Sequence, residues 1–507
     1  MLWIFRKLAI RLALVARTFI PFPQELRPRL PTITGNVDYL TLRLRLEQID
    51  SLLRESGLEA NFEARALAGW MGKREPSARE QWKFQQRSRR ALRCTILRTL
   101  LQEDYRGFSC QLAGNYLYQW FCLVDALDQV QIPSKSELQR YAHWLPEAAM
   151  REFIDELLQT AIQTPKKLKL KVDLDLEACF VDSTCVKANI HFPTDWILLR
   201  DGVRTLMKAV SLIRREGLKG RMESPEEFMK RMNTLCMEMA QEGRRAGSKK
   251  GRKRVLRRMK KMVKVVKEHA ERHRQLLEEN WERTSWTRKQ AEVVLNRMAG
   301  VLELLPKAQK QAHERIIGER PVENADKILS LYEREVRVVV RGKAGAEVEF
   351  GNTVVLAENI QGVIVDYRLV KEQAPADSRL LMESVERVRK VAGEKLGSVV
   401  TDRGFASAAN SAELEKAGMF DALCPRSPEA LQQRMKEKKF RKLQKRRAQT
   451  EARIGILKAN FLGQPMRAKG FENRELALAW GVLTHNLWML AKMRKVKKAK
   501  PELKQAA

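Results

Sequence analysis

The sequence predicts an α/β fold in two pieces, a mixed-sheet core interrupted by a long helical segment, and three observations carry that prediction. Two short apolar runs each end in an aspartate: Cys179-Phe-Val181 before Asp182, and Ser398-Val-Val-Thr401 before Asp402. Runs this short, apolar on both faces and followed by turn residues, read as strands buried at the centre of a sheet. Between them, from about 206 to 335, apolar residues recur at helical spacing. From about 336 onward, strand-like and helix-like stretches alternate, as they do where helices pack on a sheet.

Composition bounds the partners. A chain of 507 residues implies two to four domains, and 44% hydrophobic residues suffice for a sizeable core. The excess of 96 Lys and Arg over 62 Asp and Glu gives a net charge of +34. Such a chain binds polyanions with strong salt dependence, nucleic acid first and an anionic membrane surface second. Cys94, Cys110, Cys122, Cys179, Cys185, Cys236 and Cys424 form no CxxC pair. They read as reduced thiols of a cytoplasmic protein, with no disulfide framework and no zinc site. The apolar stretches of Met1–Arg17 are broken by Arg6, Lys7, Arg11 and Arg17, so an amphipathic helix on protein or DNA is expected there, and no membrane span.

In chain order, residues 1–165 read as a mostly helical DNA-recognition domain. Glu47–Ser56 is a helix ended by Gly57, and Gln111–Val130 is apolar enough for a core helix. Ile132-Pro-Ser-Lys-Ser-Glu137 supplies a turn and an N-cap before Leu138–Trp144, which fits a helix–turn–helix or a plain bundle equally. Residues 166–205 hold the first strands, because Leu168, Leu170, Val172, Leu174 and Leu176 alternate with polar residues. Asp182, at the end of such a strand, is suited to ligating a metal, although Asp-Ser-Thr is also an ordinary turn opening.

Residues 206–335 form a basic, coiled-coil-like helical insertion. Leu256, Met259, Val263, Val266, Ala270, His273 and Leu277 recur in steps of three and four, close to a heptad seam. Eleven cations without one acid lie between Arg244 and Lys261, and Arg252, Lys253 and Arg254 are the candidates there for DNA contact. Residues 336–475 return to the sheet, with strands at 336–340 (taken as a lead-in from the insertion), 348–356, 363–369, 398–402 and 421–424, helices over 377–395 and 406–417, and a basic helix over 432–461. Residues 476–507 give an apolar helix and a Lys-rich tail.

With the insertion removed, the order is three strands, helix, strand, helix, strand, helix: an RNase H-like layout. There the first and fourth strand ends can be neighbours, uniting Asp182 with Asp402 across 220 positions (402 − 182). The basic final helix, Lys436–Lys458, contains two acids, Glu437 and Glu451. Arg447 and Lys458 fall about 40° and about 20° from Glu451 around the helix. That trio fits a surface ion-pair row as well as a metal-ligand acid flanked by phosphate-gripping cations. Three carboxylates suit two Mg²⁺ or Mn²⁺ ions, hard cations that clamp the attacking and leaving oxygens of a phosphodiester displacement.

Three blocks resemble bacterial insertion-sequence transposases of the DDE type. They are Asp182-Ser-Thr-Cys-Val-Lys-Ala-Asn-Ile-His-Phe-Pro-Thr-Asp195, Val400-Thr-Asp-Arg-Gly-Phe405, and Arg447-x3-Glu451-x6-Lys458, the last similar to the Tyr–Arg–Glu–Lys signature. The Tyr of that signature falls on Gln444, a departure. The resemblance covers about 178–205 and 336–490. It implies Asp182, Asp402 and Glu451 as catalytic metal ligands, with two Mg²⁺ or Mn²⁺ ions. It implies that Arg447, Lys458 and Arg403 hold DNA, and that His191 and Asp195 order the loop leaving the first strand. The implied activity is endonucleolytic nicking at inverted-repeat ends, then joining of the 3′-OH to target DNA by an oligomer at the bacterial nucleoid.

His269 and His273, at i and i+4, lie on the seam helix and read as structural. The alternatives are an inactive or domesticated DNA-binding relative, a metal-dependent nuclease of the same fold, and a basic coiled-coil scaffold. The repeat sequence, target preference and excision pathway are not written in the chain.

Overall fold

The computed structural model describes residues 29–70, 76–124, 130–244, 248–343 and 346–494. The Met1–Arg17 segment and the Lys-rich tail lie outside them.

Helices lead the described chain: α1 (Val37–Glu55), α2 (Leu58–Trp70), α3 (Ala78–Leu101), α4 (Tyr105–Gly114), α5 (Tyr116–Cys122), α6 (Lys135–Ala142) and α7 (Glu147–Gln163). Arg93 is fully buried among them, bonded to Glu59, Asp50 and the Phe121 carbonyl. The single helix expected over Gln111–Val130 is divided instead. Asn115 accepts from the Tyr118 amide to cap α5, and Leu123 ends it in the left-handed region at φ 56°. Ser134 and Glu137 form the capping box of α6, which packs on α3 and α4 as a member of a bundle. The alternation over Leu168–Leu176 does not make a strand: the segment is an irregular connector that buries Leu168, Leu170, Leu174 and Leu176 and exposes Val172.

The sheet has six strands, β1 (Ala178–Lys187), β2 (Arg337–Lys343), β3 (Ala346–Asn359), β4 (Ile364–Leu369), β5 (Ser398–Thr401) and β6 (Phe420–Leu423). Its order is β2-β3-β1-β5-β6, with β4 also paired to β3. β1 is antiparallel to β3 and parallel to β5, so the sheet is mixed and consistent with an RNase H-like core.

Asp182 sits in mid-strand, a correction to the strand-end placement. Pairing with β3 runs from Cys179 through Lys187, but pairing with β5 stops at Phe180↔Val400. The Ser-Thr-Cys-Val continuation keeps its extended form against β3, while the β5 edge opens beside Asp182.

Between β1 and β2 stand α8 (Asp195–Arg215), α9 (Pro225–Arg244), α10 (Lys249–Asn280) and α11 (Arg288–Ala312). They share an apolar core separate from that of the sheet. The seam Leu256, Met259, Val263, Val266, Ala270, His273 and Leu277 is buried along its whole length. Its partners are α8, α9 and α11, so the periodicity expresses an intramolecular four-helix bundle and not a two-chain coiled coil. At the base of the bundle, buried Asp195 accepts from Gln311 at 2.9 Å and from Arg315 at 3.0 Å, tying the first helix to the last. His191 is exposed in the preceding loop.

After β4 come α12 (Leu381–Ala392), α13 (Ala408–Lys416), α14 (Pro428–Arg434), α15 (Lys438–Leu457) and α16 (Phe471–Lys492). α16 joins the N-terminal helices to the sheet. Trp480 donates to the Ala142 carbonyl, and Asn486 exchanges two hydrogen bonds with the Ile364 backbone.

Candidate active site

Successive side chains of a strand point to opposite faces, so Asp182 shares its face with Phe180, and Asp402 shares its face with Val400. Phe180 and Val400 pack with Phe440 and Leu443 of α15. The two aspartates therefore project toward α15, level with one another just beyond the last shared rung of β1 and β5.

α15 is seated by its buried residues Phe440, Leu443, Thr450 and Leu457. Buried Glu358 of β3 accepts from Thr450 at 2.8 Å and from Arg446 at 3.0 Å, and the Arg446 guanidinium lies over the Phe180 ring. With that face fixed, the adjoining stripe Gln444, Arg447, Glu451, Ile454 and Lys458, in steps of three and four, is turned to the open edge of the sheet.

A cavity of about 570 Å³ is lined by Asp182, Asp402, Glu451, Arg447 and Ile454, with Thr184, Val339 and Asp377 among the others. The structure thus brings the three predicted acids and Arg447 to one cleft. Lys458 donates to Thr184 at 3.2 Å, two residues along the strand from Asp182. Arg403 is exposed and does not line the cavity. Arg252, Lys253 and Arg254 are remote, on α10. Arg252 lies over the Trp196 ring and Lys253 pairs with Glu319, so both are engaged in holding the bundle together, while Arg254 is exposed.

The electrostatics are those of like charges gathered at a half-buried edge. Burial and the neighbouring Asp402 carboxylate push Asp182 up to about 6, against the Ser183 amide and Arg447, which pull it down. The Gly404 amide donates to Asp402 at 2.9 Å. A β-carbon on Gly404 would stand 3.1 Å from the Asp377 carboxylate and 3.2 Å from that of Asp402, so a side chain there would push both carboxylates back by a few tenths of an ångström.

Among the described residues no three His, Cys, Asp or Glu side chains close around one point as a metal cage. The donor set nevertheless fits Mg²⁺ or Mn²⁺, which take carboxylate oxygens from the protein and complete their shells with water and substrate phosphate. The raised Asp182 is a carboxylate short of positive charge. His273, buried on the seam helix, bonds the His269 carbonyl through Nδ1.

Two residues escaped the sequence reading. Asp377 read only as the start of a helix, and nothing local marks its approach to Asp402. Gln444, the departure from the signature, bonds the carbonyls of Thr401 at 3.2 Å and Ala422 at 2.7 Å and accepts from Arg447 at 3.2 Å. Its amide ties α15 to the strand end that precedes Asp402 and orients Arg447.

Residues 342–487 match the family described as "Transposase DDE domain". Over that stretch the chain is similar to a transposase DDE domain. The matched stretch holds Asp402, Arg447, Glu451 and Lys458 but not Asp182, which the helical bundle separates from it in sequence. No curated protein and no solved structure matches the chain. No helix among the described residues is long and apolar enough to cross a membrane.

Proposed function

We propose that this protein is a transposase that nicks DNA at the inverted-repeat ends of its own insertion sequence and joins the freed 3′-OH ends to target DNA. One observation carries the reading: Asp182, Asp402 and Glu451, from three separate parts of the chain, line one cleft together with Arg447. Asp182, Asp402 and Glu451 would hold two Mg²⁺ or Mn²⁺ ions, which when bound activate the attacking oxygen and stabilise the leaving one. Arg447 offers a fixed guanidinium to a phosphate entering the cleft, and Lys458 adds a second cation along the same helix face.

The test is incubation of the protein, in Mg²⁺ or Mn²⁺, with the DNA flanking its own gene, beside Glu451→Gln. Nicks mapping to the repeat tips and lost in the variant support the proposal. Cutting that ignores the repeats identifies a nuclease instead. Binding without cuts in either protein identifies an inactive relative.

A further inference from the structure

We infer that Lys250, Arg254, Arg257, Lys261 and Lys264 form a contact surface for the phosphate backbone of duplex DNA, outside the site described above. The inference rests on the reading of the protein as one that acts on DNA. These five residues recur on α10 in steps of four, three, four and three, and all are exposed. At about 100° per residue they share one face, directly opposite the buried seam that begins at Leu256. From Lys249 to Lys267 α10 contains no acid, whereas its other half is mixed, with ion pairs such as Lys267 to Glu271 and Arg274 to Glu278. A solvated helix surface ordinarily interleaves both signs. Here they are segregated to one half of one helix.

The neighbouring cations show which part of the basic run is committed elsewhere. Lys249 and Lys253 pair with Glu319, Arg258 pairs with Glu238, and Arg252 covers Trp196. The stripe is what those contacts leave facing outward. Its position follows from the same contacts, because Trp196 is in the first turn of α8 and Glu319 follows the last helix of the bundle. The stripe therefore starts at the base of the bundle, where the chain joins β1 and β2, and runs outward for about 21 Å at about 1.5 Å per residue. That length matches about six base-pair rises of about 3.4 Å.

The experiment measures binding of the full chain to a duplex of arbitrary sequence in EDTA, across a salt series. Lys250→Gln, Arg254→Gln, Arg257→Gln, Lys261→Gln and Lys264→Gln are combined in one variant; Gln keeps the helix propensity. A control removes equal charge from the rest of the bundle by replacing Lys230, Lys289, Arg297, Lys307 and Lys310 with Gln. The slope of log affinity against log salt should become shallower by about 4.5 in the stripe variant, at about 0.9 per lost phosphate contact, and by less than about 1 in the control. Partial variants, Lys250 with Arg254 and the remaining three together, should divide the loss as about 1.8 and about 2.7. Equal losses in stripe and control, or no loss in the stripe variant, overturn the inference. So does an unchanged duplex slope accompanied by loss of binding to phosphatidylserine vesicles. Because neither metal nor repeat sequence is present, the result stands whether or not the protein cuts DNA.

Discussion

The bundle between β1 and β2 and the edge of the sheet it interrupts solve opposite problems. The bundle turns apolar residues inward and charge outward, each helix following one local period, and its buried acid Asp195 is fully engaged by Gln311 and Arg315. The sheet edge turns Asp182, Asp402 and Glu451 toward one another, and burial with mutual repulsion holds Asp182 near 6. The first arrangement serves stability. The second gives stability up to gather like charges at an open edge.

The largest effect that would sharpen this contrast is on chemistry. Glu451→Gln should lower nicking at least about a thousandfold while leaving the melting temperature unchanged, because Glu451 is exposed and carries little of the fold. Paired rate and melting measurements check it. A large loss of stability would break the division between the two regions.

Next is the base of the bundle. Asp195→Ala takes one acceptor from Gln311, which keeps its bond to the Ile328 carbonyl, and one from the partly exposed Arg315, and should destabilise the protein by about 1–2 kcal/mol in urea unfolding. A variant as stable as the parent would show that the bundle does not depend on this tie.

Asp182→Asn should have the opposite sign. A carboxyl whose folded pKa lies above its unfolded value favours folding while protonated and loses that contribution as pH rises through about 6. Without divalent cation, the Asn variant should therefore be more stable than the parent above pH 6, by about 1–2 kcal/mol, and equal to it near pH 4. Added Mg²⁺ should stabilise the parent more than the variant.

Gln444→Met removes three hydrogen bonds at roughly constant volume and should slow nicking about tenfold. If Gln444 acts through Arg447, adding it to Arg447→Ala should cost no further rate, a coupling that a double-mutant cycle reads directly. The smallest expected effect is again in the bundle. His273 is buried in the seam with Nε2 unpartnered, so His273→Leu should raise stability by about 1 kcal/mol in the same urea assay.

Legibility in the sequence follows the same division. The seam on α10 was readable to the residue because one helix face is set by neighbours three and four positions away. The strand–Asp pattern was equally plain at Asp402. What a single sequence withheld was whatever depends on pairing. Asp182 lies in mid-strand because β1 pairs farther along β3 than along β5, and no local pattern encodes that mismatch. The alternation at Leu168–Leu176 mimicked a strand because an irregular connector can bury most alternate residues as well, here all but Val172. Asp377 was invisible because its approach to Asp402 is made through Gly404, across the sheet edge. Gln444 was noticed as a departure, but its bonds to Thr401 and Ala422 require knowing that the ends of β5 and β6 lie beneath it.

The placement of the bundle also sets the order in which the molecule can be assembled. β1 leaves the ribosome before either strand that pairs with it, and about 150 residues (337 − 187) separate its end from the start of β2. In that interval the nascent chain carries an unpaired apolar strand, the kind of segment that associates with other chains. The bundle is composed of contacts close in sequence and holds its own core, so it can form while β3 and β5 are still unmade. Once formed, it brings Ala188 against Leu329, Val336 and Val338, and a long excursion becomes a short, closed bridge. The helices that divide Asp182 from Asp402 and Glu451 in sequence are thus also the scaffold that returns the chain to β1.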